Sequence, residues 1–188
     1  MPGKSKTDKR SRLIQTAGDL TYRRGFAKAS LADIAREAEV PLGNVYYYFK
    51  TKGEIGEAII EQHLDTFRNL RQEWEREESP QSRLVAFIQM TVSNRSMLAR
   101  SGCPVGSLCA ELGKDGGQLA KTAARPFEEL LSWLEAQFSA LGRGREKKAL
   151  AVHLLSALQG VSLLANCFED EKLVVTEGNQ LKRWVLGL

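Results

Sequence analysis

The chain has 188 residues, of which 43% are hydrophobic, and this composition is ordinary for a soluble globular protein of one or two domains with a buried core. Three cysteines, an odd number without motif spacing, exclude a disulfide scaffold and fit a reducing cytoplasm. The net charge is +4, but residues 1–52 hold 11 Lys and Arg against 5 Asp and Glu, while the remaining residues carry −2. A basic first quarter predicts a nucleic-acid-binding head on a body with another task.

Almost every segment carries apolar residues at helical spacing, and no run alternates as a strand would, so the predicted fold is all-α. Local signals mark helix ends: Gly25 as a C-terminal cap, Ser30 with Asp33 as a capping box, and Thr51 with Glu54 as a second one. The predicted helices cover about 8–24, two short segments within 30–49, 51–76, 81–98, a short segment from 104, 118–141, 149–168 and 176–188.

The run from Ala149 to Phe168 has no charged residue and is the one candidate for a membrane span. His153, Gln159 and Asn166 make it too polar for lipid, so we expect a helix buried on most faces, as at a subunit interface, and no membrane partner. Residues 1–12 are polar and no apolar run follows them, which predicts no signal peptide and a cytoplasmic protein.

Residues 30–49 have the pattern of two short helices joined by a tight turn, as in a helix-turn-helix that lays its second helix in the DNA major groove. Pro41 and Gly43 are small and leave the start of this second helix open to a base edge. The alternative is a three-helix structural cap with a solvated basic face. The expected core of the motif is Ile34, Ala35, Val40, Val45 and Phe49.

Three consecutive tyrosines, Tyr46, Tyr47 and Tyr48, project polar tips from the second helix. A tyrosine hydroxyl donates to a phosphate oxygen, and its ring packs on a thymine methyl group. Lys52 adds positive charge in the first turn of the next helix, where backbone donors favour an anion. Because neutralised phosphates release counterions, we expect DNA binding to weaken steeply with salt.

Residues 8–55 resemble the N-terminal domain of the TetR family of one-component bacterial repressors. Glu39 departs from the family, which usually has glycine in the turn, and this predicts a strained non-glycine residue there. Tyr48 often appears as histidine in relatives, which keeps a phosphate donor. The matching positions are Gly25-Phe26, Ser30-Leu31-x-x-Ile34-Ala35, Ala38-x-Val40, Gly43-x-x-Tyr46-x-x-Phe49 and Lys52.

The resemblance implies two domains, a helix-turn-helix domain over residues 1–50 and an effector-binding, dimerising helical bundle over residues 51–188. It implies base-edge contacts in which Asn44 is the best hydrogen-bonding candidate, since an amide pairs with adenine. The implied phosphate contacts come from Ser30, Tyr46, Tyr48 and Lys52. The implied base contacts come from some of Pro41, Leu42, Gly43, Asn44 and Tyr47. A basic tail either reaches neighbouring phosphates or is disordered; it comprises Lys4, Lys6, Lys9, Arg10 and Arg12.

The resemblance also implies a homodimer built on the last two helices, about residues 145–188, and a pocket for a small-molecule effector. A helix that is apolar on most faces needs a partner, and the last helix offers Trp184 and Val185. A dimer presents two recognition helices roughly 34–36 Å apart and so requires a near-palindromic operator.

Of the three cysteines, Cys109 and Cys167 are expected to be packed small hydrophobic residues. Cys103 precedes Pro104, which suits the first position of a helix, and the positive end of a helix stabilises a reactive thiolate. The segment Ser101-Gly102-Cys103 also resembles the sensor segment of the NemR-type branch of the family, whose members respond to electrophiles and reactive chlorine. The hypothesis is that Cys103 reacts with an electrophile or oxidant and the dimer releases DNA.

The alternative trigger is an uncharged hydrophobic ligand that binds reversibly in a pocket above Cys103. Neither His63 nor His153 has neighbours at zinc spacing, so we expect no metal and no cofactor. The candidate pocket residues, taken from helix faces, are His63, Phe67, Phe87, Met90, Trp133 and Phe168.

Two other classes of protein, an enzyme and an interaction adaptor, explain the sequence less well than a regulator does. A thiol-dependent enzyme is disfavoured because the sequence has no glycine-rich phosphate loop, no serine motif and no Cys–His pairing. A protein-interaction adaptor leaves the basic head unexplained. Within the regulator class, activation stays open beside repression, because the sequence does not specify the operator, the regulated genes or the effector.

Overall fold

The computed structural model describes residues 6–188, with side chains from residue 9 onward. These residues form ten α-helices and no strand, which confirms the predicted all-α fold. The helices are α1 (Lys6–Arg24), α2 (Leu31–Glu37), α3 (Leu42–Tyr48), α4 (Lys52–Trp74), α5 (Pro80–Ser93), α6 (Arg95–Ser101), α7 (Pro104–Asp115), α8 (Gly117–Ala140), α9 (Lys147–Phe168) and α10 (Glu171–Leu186).

The ends of α1 and α2 lie where short-range signals predict them. Gly25 follows α1 with a φ of +87°, a left-handed conformation that costs glycine little because it has no Cβ. The Ser30 hydroxyl accepts from the Asp33 N–H at 3.1 Å, and the Asp33 carboxylate accepts from the Ser30 N–H at 3.3 Å. The predicted capping box at α2 is therefore confirmed.

The second predicted capping box forms only in half. Thr51 Oγ1 accepts from the Glu54 N–H at 3.1 Å, as predicted. The Glu54 carboxylate, however, accepts from the N–H of Lys50 at 2.8 Å, one residue earlier than a capping box requires. The start of α4 is still satisfied, and the helix continues to Trp74.

Two predicted boundaries are wrong. The helix predicted over 81–98 is divided into α5 and α6 at Asn94, whose side-chain amide donates to the Met90 carbonyl at 2.8 Å and competes with the helical bonding pattern. The last helix begins at Glu171 and not at residue 176, because the Asp170 carboxylate caps it by accepting from the Lys172 N–H at 2.9 Å.

The chain packs as two compact units. Unit 1 contains the residues up to Asp65 together with Ser107–Arg125, and unit 2 contains Thr66–Gly106 and Pro126–Leu188. The predicted division at residue 50 differs from this packing division, because the first half of α4 contributes Ile55, Ile59, Ile60 and Leu64 to the core of unit 1. That core also holds all five residues expected to fill the helix-turn-helix, each at most 5% exposed.

Unit 2 is built mainly from α5, α6, α9 and α10, with α10 packed on the other three. The contact between α10 and α5 is close at Gly178, where an added Cβ would lie 2.3 Å from Val92 Cγ2. Helix α8 contributes Trp133, Leu134 and Phe138 to the same core.

Helix α9 is the one helix of residues 6–188 that is long and apolar enough to cross a membrane, a criterion that core helices also satisfy. Within the single chain only 39% of its most apolar window is buried, so the predicted burial on most faces, as at a subunit interface, stays a prediction that needs a partner. Leu163 and Leu164 are 63% and 50% exposed, and Cys167, which follows them on the same face, is exposed too. Packing of Cys167 at such an interface likewise stays a prediction.

Candidate functional site

Helix α3 presents a buried side and an exposed side. Val45, within the helix, is 0% exposed, and Phe49, directly after it, is 2% exposed. Both residues hold α3 to the core of unit 1. Tyr46 and Tyr47 lie on the other side and are 47% and 63% exposed. At Gly43 an added Cβ would meet no atom within 4 Å, so the first turn of α3 is open to an approaching base edge.

The other residues of α3, and Pro41 before it, are exposed or half-buried. Leu42 is 40% exposed, and Pro41, at the N-cap position, is exposed as well. Asn44 and Tyr48 are half-buried, and the rings of Tyr47 and Tyr48 pack edge to face with centroids 5.0 Å apart.

The turn before α3 contains the expected strained residue. Glu39 has a φ of +53°, and the Val40 N–H donates to the Ala35 carbonyl at 2.9 Å across the turn. A non-glycine residue in this region costs about 1–2 kcal/mol. Ala38 is 3% exposed, and its small side chain lets the two helices approach each other.

Ser30 is exposed at the start of α2, but its hydroxyl belongs to the capping box. Hydrogen bonds from Ser30 and then from Arg36 lower the pKa of the Asp33 carboxyl, so this cap is anionic at neutral pH. A phosphate contact from the Ser30 hydroxyl therefore stays a prediction in which phosphate and Asp33 compete for one donor.

Lys52 points its ammonium into unit 1. Its Nζ donates to the Ala27 carbonyl at 2.8 Å and lies 4.8 Å from the centroid of the Phe26 ring. Burial lowers the pKa of Lys52, and the nearby carboxylate of Glu111 opposes that shift. The predicted phosphate contact of Lys52 is not tested by this arrangement, in which the ammonium stabilises the segment before α2.

The described part of the basic tail belongs to α1, which begins at Lys6. The Arg10 guanidinium lies 5.4 Å from the centroid of the Phe49 ring, and Arg12 Nε is buried with no hydrogen-bond partner among the side chains that the structure describes. Lys4 and the side chain of Lys6 lie outside the described residues.

Cys103 lies directly before α7, as predicted. The thiol sulfur accepts from the Gly106 N–H at 3.4 Å, the position at which a helix N-cap accepts its hydrogen bond. The thiol is half-buried, and an added Cβ at Gly106 would lie 3.6 Å from its sulfur and 2.6 Å from Gln159 Oε1, so Gly106 and Gln159 are closely packed beside it. Cys109 differs, because its thiol donates to the Ala123 carbonyl at 2.8 Å.

Comparison with known proteins decides the family. The profile of "Bacterial regulatory proteins, tetR family" matches residues 13–59. Over 149 residues the chain is 32% identical to the HTH-type transcriptional repressor NemR of Escherichia coli strain K12, and the match covers 76% of this chain and 72% of NemR. The chain belongs to the TetR family. It is therefore a DNA-binding transcriptional regulator and not an enzyme.

Two further likenesses extend over nearly the whole TetR-family chain. It is 28% identical over 178 residues to an uncharacterized HTH-type transcriptional regulator of Lactococcus lactis subsp. lactis, covering 92% of this chain and 91% of that protein. A TetR transcriptional regulator from Legionella pneumophila has the same fold, with a TM-score of 0.84 at 19% identity, covering 97% of this chain and 98% of that one.

Three of the predicted effector residues of this TetR-family chain meet in unit 2. Phe67, Phe87 and Trp133 surround Trp74, with ring centroids 5.9, 5.2 and 5.1 Å from its own. Met90 packs against the same cluster. Trp74 was missing from the predicted pocket, although its spacing of seven residues from Phe67 places both on one face of α4.

The other predicted effector residues lie elsewhere. His63 belongs to unit 1, where burial lowers its pKa, and Phe168 is 69% exposed on α9. Cys103 packs against a separate apolar cluster in unit 2. His153 lies with its ring centroid 4.9 Å from that of Trp184. Among residues 6–188 there is no group of His, Cys, Asp or Glu side chains that would hold a metal ion.

Two buried polar atoms near the aromatic cluster have no hydrogen-bond partner: Trp133 Nε1 and Gln137 Oε1. Both belong to α8 and are separated by one helical turn, and their residues are 3% and 6% exposed. A buried polar group without a partner costs about 1–3 kcal/mol. Sequence analysis missed Gln137 because amphipathic spacing does not identify buried polar residues.

Proposed function

We propose that this TetR-family regulator is a dimeric repressor that binds a near-palindromic operator and leaves it when an electrophile or oxidant reacts at Cys103. The observation that carries the proposal is the hydrogen bond from the Gly106 N–H to the Cys103 sulfur at the start of α7. The sulfur thus lies beside a backbone donor at the N-terminus of a 12-residue helix, and the thiolate is the nucleophilic form of cysteine.

The chemistry of such a reaction is simple for an unsaturated carbonyl compound. The thiolate electron pair forms a C–S bond with the β-carbon, the carbon–carbon π bond opens to an enolate, and water supplies the proton that neutralises it. The adduct adds bulk to the sulfur that accepts the Gly106 N–H bond at the N-terminus of α7, and so would disturb the first turn of that helix.

Dimerisation is supported by an apolar face in unit 2. Val152, Leu163, Leu164 and Phe168 on α9 are between 50% and 69% exposed. Large exposed apolar patches mark association sites, and a two-fold axis through this face would bury the same patch on both copies. Val185 does not contribute, contrary to expectation, because it is 0% exposed within its own unit.

The DNA contacts of the proposal are those of α3 and its flanks. Exposed tyrosine tips at Tyr46 and Tyr47 and open space at Gly43 favour major-groove docking by this helix. Ser30, Tyr48 and Lys52 would supply phosphate contacts, and Asn44 would read a base edge.

A second trigger, reversible binding of an uncharged ligand, is favoured by a different observation. The indole N–H of Trp133, which belongs to the aromatic cluster, and the amide oxygen of Gln137, one helical turn later, are buried without partners among the described residues. A flat ligand with one hydrogen-bond acceptor and one donor would satisfy both atoms and pack on the rings.

The test is DNA-binding anisotropy on fragments from beside the protein's own gene, with and without N-ethylmaleimide. The variants are Cys103→Ser and, as matched controls, Cys109→Ser and Cys167→Ser, the last removing an exposed thiol. Release of wild type and both controls by the reagent, with Cys103→Ser retained on DNA, is the expected result. Release of Cys103→Ser as well, or retention of all four proteins, refutes the sensor and favours the second trigger, a ligand that binds beside Trp133.

A further inference from the structure

We infer that Glu111 is a positioning residue for DNA binding. Its carboxylate holds the segment between α1 and α2, and the positions of Ser30 and of the Lys52 ammonium, two proposed phosphate donors, depend on that segment. This inference rests on the proposed DNA-binding surface but not on Cys103 as the sensor. Glu111 lies on α7, 84 and 85 residues from its partners, and all of them belong to unit 1.

The contact itself is a two-point grip on the backbone. One carboxylate oxygen accepts from the Phe26 N–H at 2.7 Å, and the other accepts from the Ala27 N–H at 2.6 Å. Hydrogen bonds to an ionised acceptor are short and roughly twice as strong as neutral ones, and two parallel bonds also fix orientation. The two N–H groups follow the end of α1 and point to the same side chain.

Gly25 makes room for this grip. An added Cβ at this position would lie 3.3 Å from each Glu111 carboxylate oxygen, and its φ of +87° is unfavourable for residues with a Cβ. The close approach and the left-handed turn thus depend on the same residue.

The gripped segment is also held from its other side. The Ala27 carbonyl accepts from Lys52 Nζ at 2.8 Å, and the Phe26 ring lies 4.8 Å from that ammonium. Glu111 therefore holds the N–H groups of the segment, while Lys52 on α4 holds its carbonyl. Ser30 follows three residues after Ala27 and begins α2, so the position of this segment determines where both proposed phosphate donors lie.

The test compares operator affinity of wild type, Glu111→Gln and Asp115→Asn. Each variant removes one negative charge from α7, but Asp115 is exposed at the end of that helix, one turn after the residue that bonds to Phe26 and Ala27. Removing negative charge beside DNA strengthens binding by electrostatics alone. The inference predicts instead that Glu111→Gln weakens operator binding about tenfold, because one amide oxygen cannot replace both carboxylate hydrogen bonds.

Two further readouts separate positioning from general damage, and all binding is measured well below the unfolding midpoint of each protein. The slope of log affinity against log salt should become shallower by about one for each lost phosphate contact. The amide proton signals of Phe26 and Ala27 should move upfield in Glu111→Gln and stay in place in Asp115→Asn.

Binding of Glu111→Gln as tight as wild type or tighter overturns the inference, and so does weaker binding with an unchanged salt slope and unchanged amide signals. Wild type that fails to bind the fragments refutes the proposed function together with this inference. If wild type binds the fragments and Glu111→Gln binds them equally well, only the inference about Glu111 is refuted.

Discussion

Replacing Gly178 with alanine tests how tightly α10 is seated on α5. The added Cβ would lie 2.3 Å from Val92 Cγ2, far inside the contact distance of two carbon atoms. Val92 is β-branched, 7% exposed and restricted to one preferred rotamer in its helix, so its methyl group cannot swing aside cheaply. Overpacking of this kind costs about 1–3 kcal/mol, while the better helix propensity of alanine returns about 1 kcal/mol.

We therefore expect Gly178→Ala to lower the free energy of unfolding by up to about 2 kcal/mol in urea titrations followed by circular dichroism. In the Val92→Ala background the new Cβ would lie 3.8 Å from the remaining Cβ, an ordinary contact, so the penalty should largely vanish. Gly113→Ala, with no atom within 4 Å of the added Cβ, is the control and should gain up to about 1 kcal/mol. A Gly178→Ala protein stabilised like this control, or not rescued by Val92→Ala, would refute the close packing.

Two other substitutions test the DNA-binding surface, at Tyr47, and the half-buried His63. Tyr47 is 63% exposed, so Tyr47→Ala should weaken operator binding about tenfold without changing the sedimentation of the dimer, and dissociation would contradict its assignment to the DNA surface. Burial lowers the pKa of His63 below 6.5, so the unfolded chain takes up this proton at higher pH than the folded chain. Stability is therefore lost as pH falls below about 6.5 toward the folded-state pKa. His63→Gln should lose less stability than wild type between about pH 7.5 and about pH 5.5, as urea unfolding midpoints at the two pH values would show. An equal loss of stability in both proteins would count against this effect.

Signals confined to a few neighbouring residues were read correctly. The capping box of Ser30 and Asp33 and the left-handed Gly25 depend on atoms at most four residues apart, so their geometry follows from local sequence. The positive φ of Glu39 was also expected, because the turn requires it whichever residue is present. Asn94 shows the limit, since its side chain interrupts a helix that apolar spacing alone extends from α5 into α6.

Part of the candidate site could also be predicted from local spacing. Exposure of Tyr46 and Tyr47 and burial of Val45 follow from helical spacing in α3. The orientation of Lys52 does not, because its ammonium is held by the Ala27 carbonyl, 25 residues earlier in the chain. The exposure of Cys167 within the single chain could not be predicted either, because spacing shows which residues share a face but not what covers that face.

Amino-acid order alone was sufficient for the all-α class, the helix-turn-helix and the resemblance to the TetR family, because helix periodicity, caps and the motif at residues 25–52 are short-range patterns. Folding was needed to bring Glu111 to the N–H groups of Phe26 and Ala27 and to gather Phe67, Phe87 and Trp133 around Trp74. Such contacts join residues far apart in the chain, and their partners are selected by packing and by the need to satisfy buried polar groups. No local pattern encodes that choice.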